Sequence, residues 1–142
     1  MAAQKKQVVW VPHPDPYQRA RAAFSVAHMS NAKWRKALRA IATAELRLTR
    51  SEWKCIDSDH VMVHGIPHLT DILEGRFADG QFPPFEYKWI EWVRFPRTYK
   101  PHRGEVYEVA QDIEGLRQAL ETCGKLKIEV DESGLTLFAY GR

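Results

Sequence analysis

The sequence predicts one α+β domain, an antiparallel sheet of about four to six strands packed by an N-terminal basic amphipathic helix and a C-terminal helix and ending in a β-hairpin. Three observations carry that prediction. Residues 31–48 repeat apolar side chains at helical spacing, residues 85–95 alternate large side chains with period two, and residues 111–140 read in succession as helix, glycine stop and hairpin. At 142 residues the chain can build a single core without staples. Its 44% apolar and 27% charged residues are those of an ordinary soluble globular protein.

Residues 1–16 carry Pro12, Pro14 and Pro16 around a short Val-Val-Trp-Val run and predict an extended N-terminal arm, with 17–142 as the domain proper. Asp15 and Pro16 can cap and open a first helix running to about residue 28. A stronger helix is expected over 31–48, capped by Ser30 or Asn31. Its apolar stripe is Trp34, Ala37, Leu38, Ile41, Ala44 and Leu48, and its opposite stripe is Lys36, Arg39, Thr43, Arg47 and Arg50. Strands are expected at 53–56 and 60–64 around the turn residues Asp57, Ser58 and Asp59, then a short helix at 70–76 and a turn at 78–81.

Seven of the 16 aromatic residues fall between Phe82 and Tyr99. Read as one strand, 85–95 places Phe85, Tyr87, Trp89, Val93 and Phe95 on one face and Ile90 and Trp92 on the other, among Glu86, Lys88 and Arg94. Large apolar groups on both faces imply a central antiparallel strand, with the Trp89 face buried and Trp92 partly available. Glu91 falls on the apolar face, so a bulge near Ile90 or a buried cation is required there. Residues 96–104 read as a loop and 105–109 as another strand. Next, 111–123 predicts a helix with Asp112 and Glu114 in its first turn and Gly124 as its stop. The hairpin pairs 125–130 with 135–140 around a four-residue loop, in which Gly134 supplies a positive φ.

The net charge of +3 is unevenly spread, because residues 17–54 hold nine Lys or Arg against two Glu while the remainder of the chain is net acidic. The longest apolar runs are far short of the roughly 20 residues that span a bilayer, and Val8–Val11 is too short for a secretory signal core. No membrane partner and a cytoplasmic location are therefore expected. In that compartment Cys55 and Cys123, without Cys-x-x-Cys spacing, are expected as free buried thiols.

No catalytic residues can be named. Neither cysteine has a partner legible in the sequence, Ser58 and Ser133 lack a nucleophile-elbow pattern, and no glycine-rich phosphate loop occurs, so an enzyme is the less favoured class and no cofactor is implied. His60, His64, His68 and Asp59 lie close enough in sequence to raise a small metal-dependent enzyme as a second alternative. A strand at 60–64 would, however, hold His60 and His64 about 13 Å apart at roughly 3.3 Å per residue, too far for one ion. Nucleic-acid binding is the first alternative, with the basic helix on phosphates and the aromatic strand stacking on bases. The leading reading is a non-enzymatic module that binds another protein, either a second copy or a different chain, because aromatic and Arg residues dominate interface hot spots. Its expected contact residues are Arg39, Arg47, Trp92, Arg94 and Tyr99.

The stretches Met29-Ser-Asn-Ala-Lys-Trp34, Tyr87-Lys-Trp-Ile-Glu-Trp92 and Leu135-Thr-Leu-Phe-Ala-Tyr-Gly141 together resemble a family of small uncharacterised bacterial cytosolic proteins over about residues 29–141. The resemblance implies no activity or catalytic residue. It suggests an immunity or accessory role by size and form, against which the positive net charge stands.

Overall fold

The computed structural model describes residues 16–77, 85–104 and 106–141. The expected arm, the Asp15 cap and the turn at 78–81 lie outside them. From the N-terminal side, α1 (Pro16–Arg21) leads to β1 (Val26–Ala27), α2 (Asn31–Thr43), β2 (Ser51–Cys55) and β3 (Val61–His64). A 3-10 turn at Leu69–Asp71 precedes β4 (Arg76–Phe77) and β5 (Phe85–Glu86), and a second at Tyr87–Trp89 precedes β6 (Ile90–Pro96). There follow β7 (Thr98–Tyr99), β8 (Val109–Ala110), α3 (Ile113–Glu121), β9 (Lys127–Asp131), β10 (Gly134–Phe138) and β11 (Tyr140–Gly141). Five strands form one antiparallel sheet in the order β3-β2-β6-β10-β9, and β1–β11, β4–β5 and β7–β8 form separate two-stranded ladders. The architecture is the expected α+β fold, with the aromatic strand β6 at the centre of the sheet.

Both main helices begin where their caps place them. Ser30 Oγ accepts from Lys33 N at 3.2 Å to start α2, and Asp112 Oδ1 accepts from Gly115 N at 3.0 Å to start α3. The helix expected to reach residue 48 stops at Thr43, because Glu45 turns left-handed with φ 52° and carries the chain off the axis. Arg47 and Arg50 therefore leave the basic stripe, which keeps Lys36 and Arg39. The first helix likewise ends at Arg21 rather than near 28. Beyond it the backbone is committed to the C-terminal strand, with Ser25 N donating to Gly141 O at 2.9 Å and His28 N to Ala139 O at 2.7 Å.

Other boundaries move for similar local reasons. The helix expected at 70–76 is a single 3-10 turn, closed by His68 N donating to the Asp71 carboxylate at 3.0 Å, before the chain extends into β4. The loop read at 96–104 contains β7, whose partner β8 begins only at Val109. The closing hairpin has a two-residue turn, Glu132-Ser133, not four. Asp131 Oδ1 accepts from Ser133 N at 2.8 Å, Ser133 Oγ at 2.6 Å and Gly134 N at 3.1 Å. Gly134 adopts φ 153°, and a Cβ there would stand 2.1 Å from the Phe95 carbonyl oxygen, so no other residue fits.

The core lies between one face of the sheet and the two helices. Trp34 of α2 meets Trp53 of β2 at 6.1 Å between ring centroids and stacks on Tyr87 at 6.3 Å. Leu38 and Ile41 of α2 and Ile113, Leu116 and Leu120 of α3 join the same buried cluster. Its polar handles are satisfied: Trp53 Nε1 donates to Ser51 Oγ at 2.7 Å, and Tyr87 Oη to Leu73 O at 2.7 Å. Burial pushes the Tyr87 phenol up to about 12. Gln111 joins three segments from within. Its Oε1 accepts from Thr49 N at 2.7 Å and Arg50 N at 2.8 Å, and its Nε2 donates to Arg50 O at 3.0 Å and Pro96 O at 2.8 Å.

Candidate functional site

Directly opposed residues of an antiparallel pair share a face, so the register sorts every sheet side chain. Toward the helices point Ser51, Trp53, Cys55, His64, Ile90, Val93, Phe95, Leu135 and Leu137, and each is buried. The opposite face holds two rows that cross all five strands. One is Val61, Lys54, Trp92, Phe138 and Lys127; the other is Val63, Glu52, Arg94, Thr136 and Glu129. None of these ten is buried, and Val61 and Val63 are 46% and 49% exposed.

A local irregularity at the end of this division keeps Glu91 out of the core. The register between β2 and β6 shifts so that Lys54 opposes Trp92 while Cys55 opposes Ile90, leaving Glu91 as an extra residue. Without the shift Glu91 would face Cys55 in the core. Instead its carboxylate accepts from Lys54 Nζ at 2.5 Å on the open side, so the expected bulge and the expected cation are both present. The 3-10 turn at Tyr87–Trp89 resets the phase before β6, which turns Ile90 inward, against its expected outward face. It also leaves Trp89 half-buried and makes Tyr87 the fully buried aromatic of that turn.

Of the expected contact residues, Trp92 and Arg94 are half-exposed neighbours on the open face. Arg94 Nη2 donates to Ser133 O at 3.3 Å. Tyr99 stands at the border, where it hydrogen-bonds Thr49 and carries the Arg50 guanidinium 5.1 Å above its ring; Arg50 in turn pairs with Glu52 at 2.9 Å. Arg39 is exposed on α2, on the opposite side of the sheet from Trp92, and Arg47 is exposed in the loop after α2, where its carbonyl accepts from Asp112 N. The five residues therefore do not form one surface.

Phe138 is the aromatic residue of this face that sequence reasoning missed. It stands directly opposite Trp92 and floors a groove of about 280 Å3 shared with Phe24, His28, Glu91, Lys127 and Tyr140. Its period-two position in the last hairpin was visible, but its face depends on the register with β6. The N-terminal segment walls this groove: Phe24 packs on Tyr140 at 5.6 Å, and Arg21 lies 5.0 Å above the Tyr140 ring.

The histidines are dispersed. His60, Asp59 and His68 are exposed, whereas His64 is buried edge-on to Trp53 at 6.4 Å. Among the described residues no three His, Cys, Asp or Glu side chains are gathered to hold a metal ion. Cys55 and Cys123 are buried free thiols, and burial pushes Cys55 up to about 11, away from the nucleophilic thiolate at neutral pH. No helix among the described residues is long and apolar enough to cross a membrane. No protein-family model, curated protein or solved structure matches this chain.

Proposed function

We propose that this protein is a non-enzymatic binding module that takes another protein on the open face of its five-stranded sheet. The carrying observation is the cross-strand row Lys54, Trp92, Phe138 and Lys127, two adjacent aromatic side chains flanked by lysines, none of the four buried. Aromatic side chains bring large apolar area at low entropic cost, and a central aromatic pair rimmed by charges is the anatomy of an interface hot spot. The groove beside Phe138 suits an apolar anchor from the partner.

The charge on this face favours a protein over a nucleic acid. Lys54, Arg94 and Lys127 are matched by Glu52, Glu91 and Glu129, two of the carboxylates already being engaged by Arg50 and Lys54. A polyanion would meet as many carboxylates as cations there, whereas a protein surface of mixed charge can complement both. The partner expected is a folded protein presenting an apolar side chain framed by both acidic and basic groups.

A photo-reactive side chain placed at Trp92, and separately at Arg39, tests the reading in the source cell. Cross-links from position 92 to one defined protein, absent from position 39, are expected. Cross-links from position 92 to nucleic acid, or equal protein cross-links from both positions, contradict it.

A further inference from the structure

We infer that the edge strand β9 pairs antiparallel with β9 of a second copy of this chain, joining two five-stranded sheets into one across a twofold axis at Ile128. This contact runs along the strand edge and shares Lys127 and Glu129 with the open face. Its test reads the oligomeric state of the pure chain, not capture of another protein, so failure of one proposal is distinguishable from failure of the other.

β9 is the last strand of the sheet, and among the described residues only β10 pairs with it. In its two-residue hairpin, Asp131 and Gly134 form the hydrogen-bonded pair that closes the turn. Alternation then directs the backbone groups of Asp131, Glu129 and Lys127 toward β10, and those of Val130, Ile128 and Leu126 outward. The outward set is an unused ladder, the feature through which sheet edges recruit another strand.

The sequence of this edge is complementary to itself in one register. With Ile128 opposite its own copy, Lys127 meets Glu129 within β9, and Leu126 and Lys125, which lead into the strand, continue the match onto Val130 and Asp131. Every charged residue then opposes its opposite, and every apolar residue an apolar one. The outward backbone groups are matched as well, since Leu126, Ile128 and Val130 oppose only one another. The neighbouring allowed register, centred on Glu129, sets that carboxylate against its own copy and is disfavoured. Lysines on an edge strand ordinarily repel a second strand; here each has an acid waiting opposite it.

The side chains beneath the edge point the same way. Leu126, Ile128 and Val130 face the helix side but are incompletely covered, and with Arg117 and Glu121 of α3 they line an open groove of about 800 Å3. Val130 remains 38% exposed. A second β9 extends the sheet under this groove and lays its own Leu126, Ile128 and Val130 beside the first set. Such an isologous contact closes on itself and stops at two copies. The other sheet edge, β3, carries no Lys, Arg, Asp or Glu and offers no comparable matching.

Analytical ultracentrifugation of the full chain should give twice the 16.5 kDa chain mass. Lys127→Glu, an exposed change checked for folding by its melting curve, should weaken the dimer by about tenfold or more, because it creates two symmetry-related like-charge pairs. Adding Glu129→Lys should restore it, which the register centred on Glu129 would not allow. Ile128→Cys should form a disulfide-linked dimer on mild oxidation, since opposed residues of a hydrogen-bonded pair lie about 5.5 Å apart between Cα atoms. A monomer at every concentration, a dimer indifferent to Lys127→Glu, or a double exchange that fails to restore pairing overturns the inference.

Discussion

The two faces of the five-stranded sheet are built from the same strands yet obey different rules. On the helix side Trp53, Val93 and Leu137 lie side by side in register and are wholly buried. On the other side, one residue along, Lys54, Trp92 and Phe138 are opposed in the same order and remain partly exposed. The lesson is that aromatic content alone does not locate a core or a site. What separates the two roles is phase, held by the continuous register of Arg94, Val93 and Trp92 on β2, while the extra residue Glu91 absorbs the shift beyond Trp92.

The largest expected contrast is therefore between neighbours. Trp53→Ala should cost about 3–5 kcal/mol, because it removes a fully buried indole and leaves Trp34 facing a cavity. Trp92→Ala should cost about 1 kcal/mol or less, as a half-exposed position does. Denaturant unfolding of both variants checks this, and comparable losses would erase the distinction between the faces.

Next in size is Gln111→Leu. It strips partners from four backbone groups, at Thr49, Arg50 and Pro96, and should cost about 2–4 kcal/mol in the same measurement. Smaller again is Glu91→Gln, which weakens the pairing of Lys54 at side-chain exposures of 20% for Lys54 and 16% for Glu91. A loss of about 1–2 kcal/mol is expected. Cys55→Ser at the same bulge would not reproduce it in a double-mutant cycle with Lys54→Met.

The hairpin gives a pH signature. The Ser133 hydroxyl, followed by the backbone N–H groups of Ser133 and Gly134, holds the Asp131 carboxyl below its usual 3.8. Because the folded value is depressed, the stabilisation is complete above the unfolded value and is lost as pH falls through the folded one. Amide exchange at Ser133 and Gly134 should accelerate only below the ordinary carboxylate range, and a change near neutrality would refute this. The smallest effect is chemical: Cys55 in the native protein should react far more slowly with a thiol reagent at neutral pH than after unfolding.

Some of this was legible in the sequence because the signals were local. Ser30 and Gly134 each act through backbone groups within a few residues, so a cap at Ser30 or Asn31 and a positive φ at Gly134 could be read directly, whereas Asp112, expected inside the first turn of a helix from 111, is the N-cap of one that starts at Ile113. The requirement for a bulge or cation at Glu91 was also readable, since an unpaired carboxylate cannot remain in an apolar face. Other features were not. The end of α2 depends on Glu45 adopting φ 52° without the glycine or asparagine that usually marks such a turn. Gln111 looks like any polar residue before a helix until Thr49, Arg50 and Pro96 converge on it. Phe138 acquires its place only through pairing with Trp92, a contact 46 positions away in the chain, and Arg39 is off that surface because α2 packs on the other side of the sheet.

The most direct measurement is a titration of the protein cross-linked from position 92 against the native chain and the Trp92→Ala, Phe138→Ala and Arg39→Ala variants. Loss of affinity by about tenfold or more for the first two, with Arg39→Ala close to native, is expected of a hot spot centred on the open face. Native affinity in Trp92→Ala and Phe138→Ala, with binding lost in Arg39→Ala, would place the interface on the helices and contradict it.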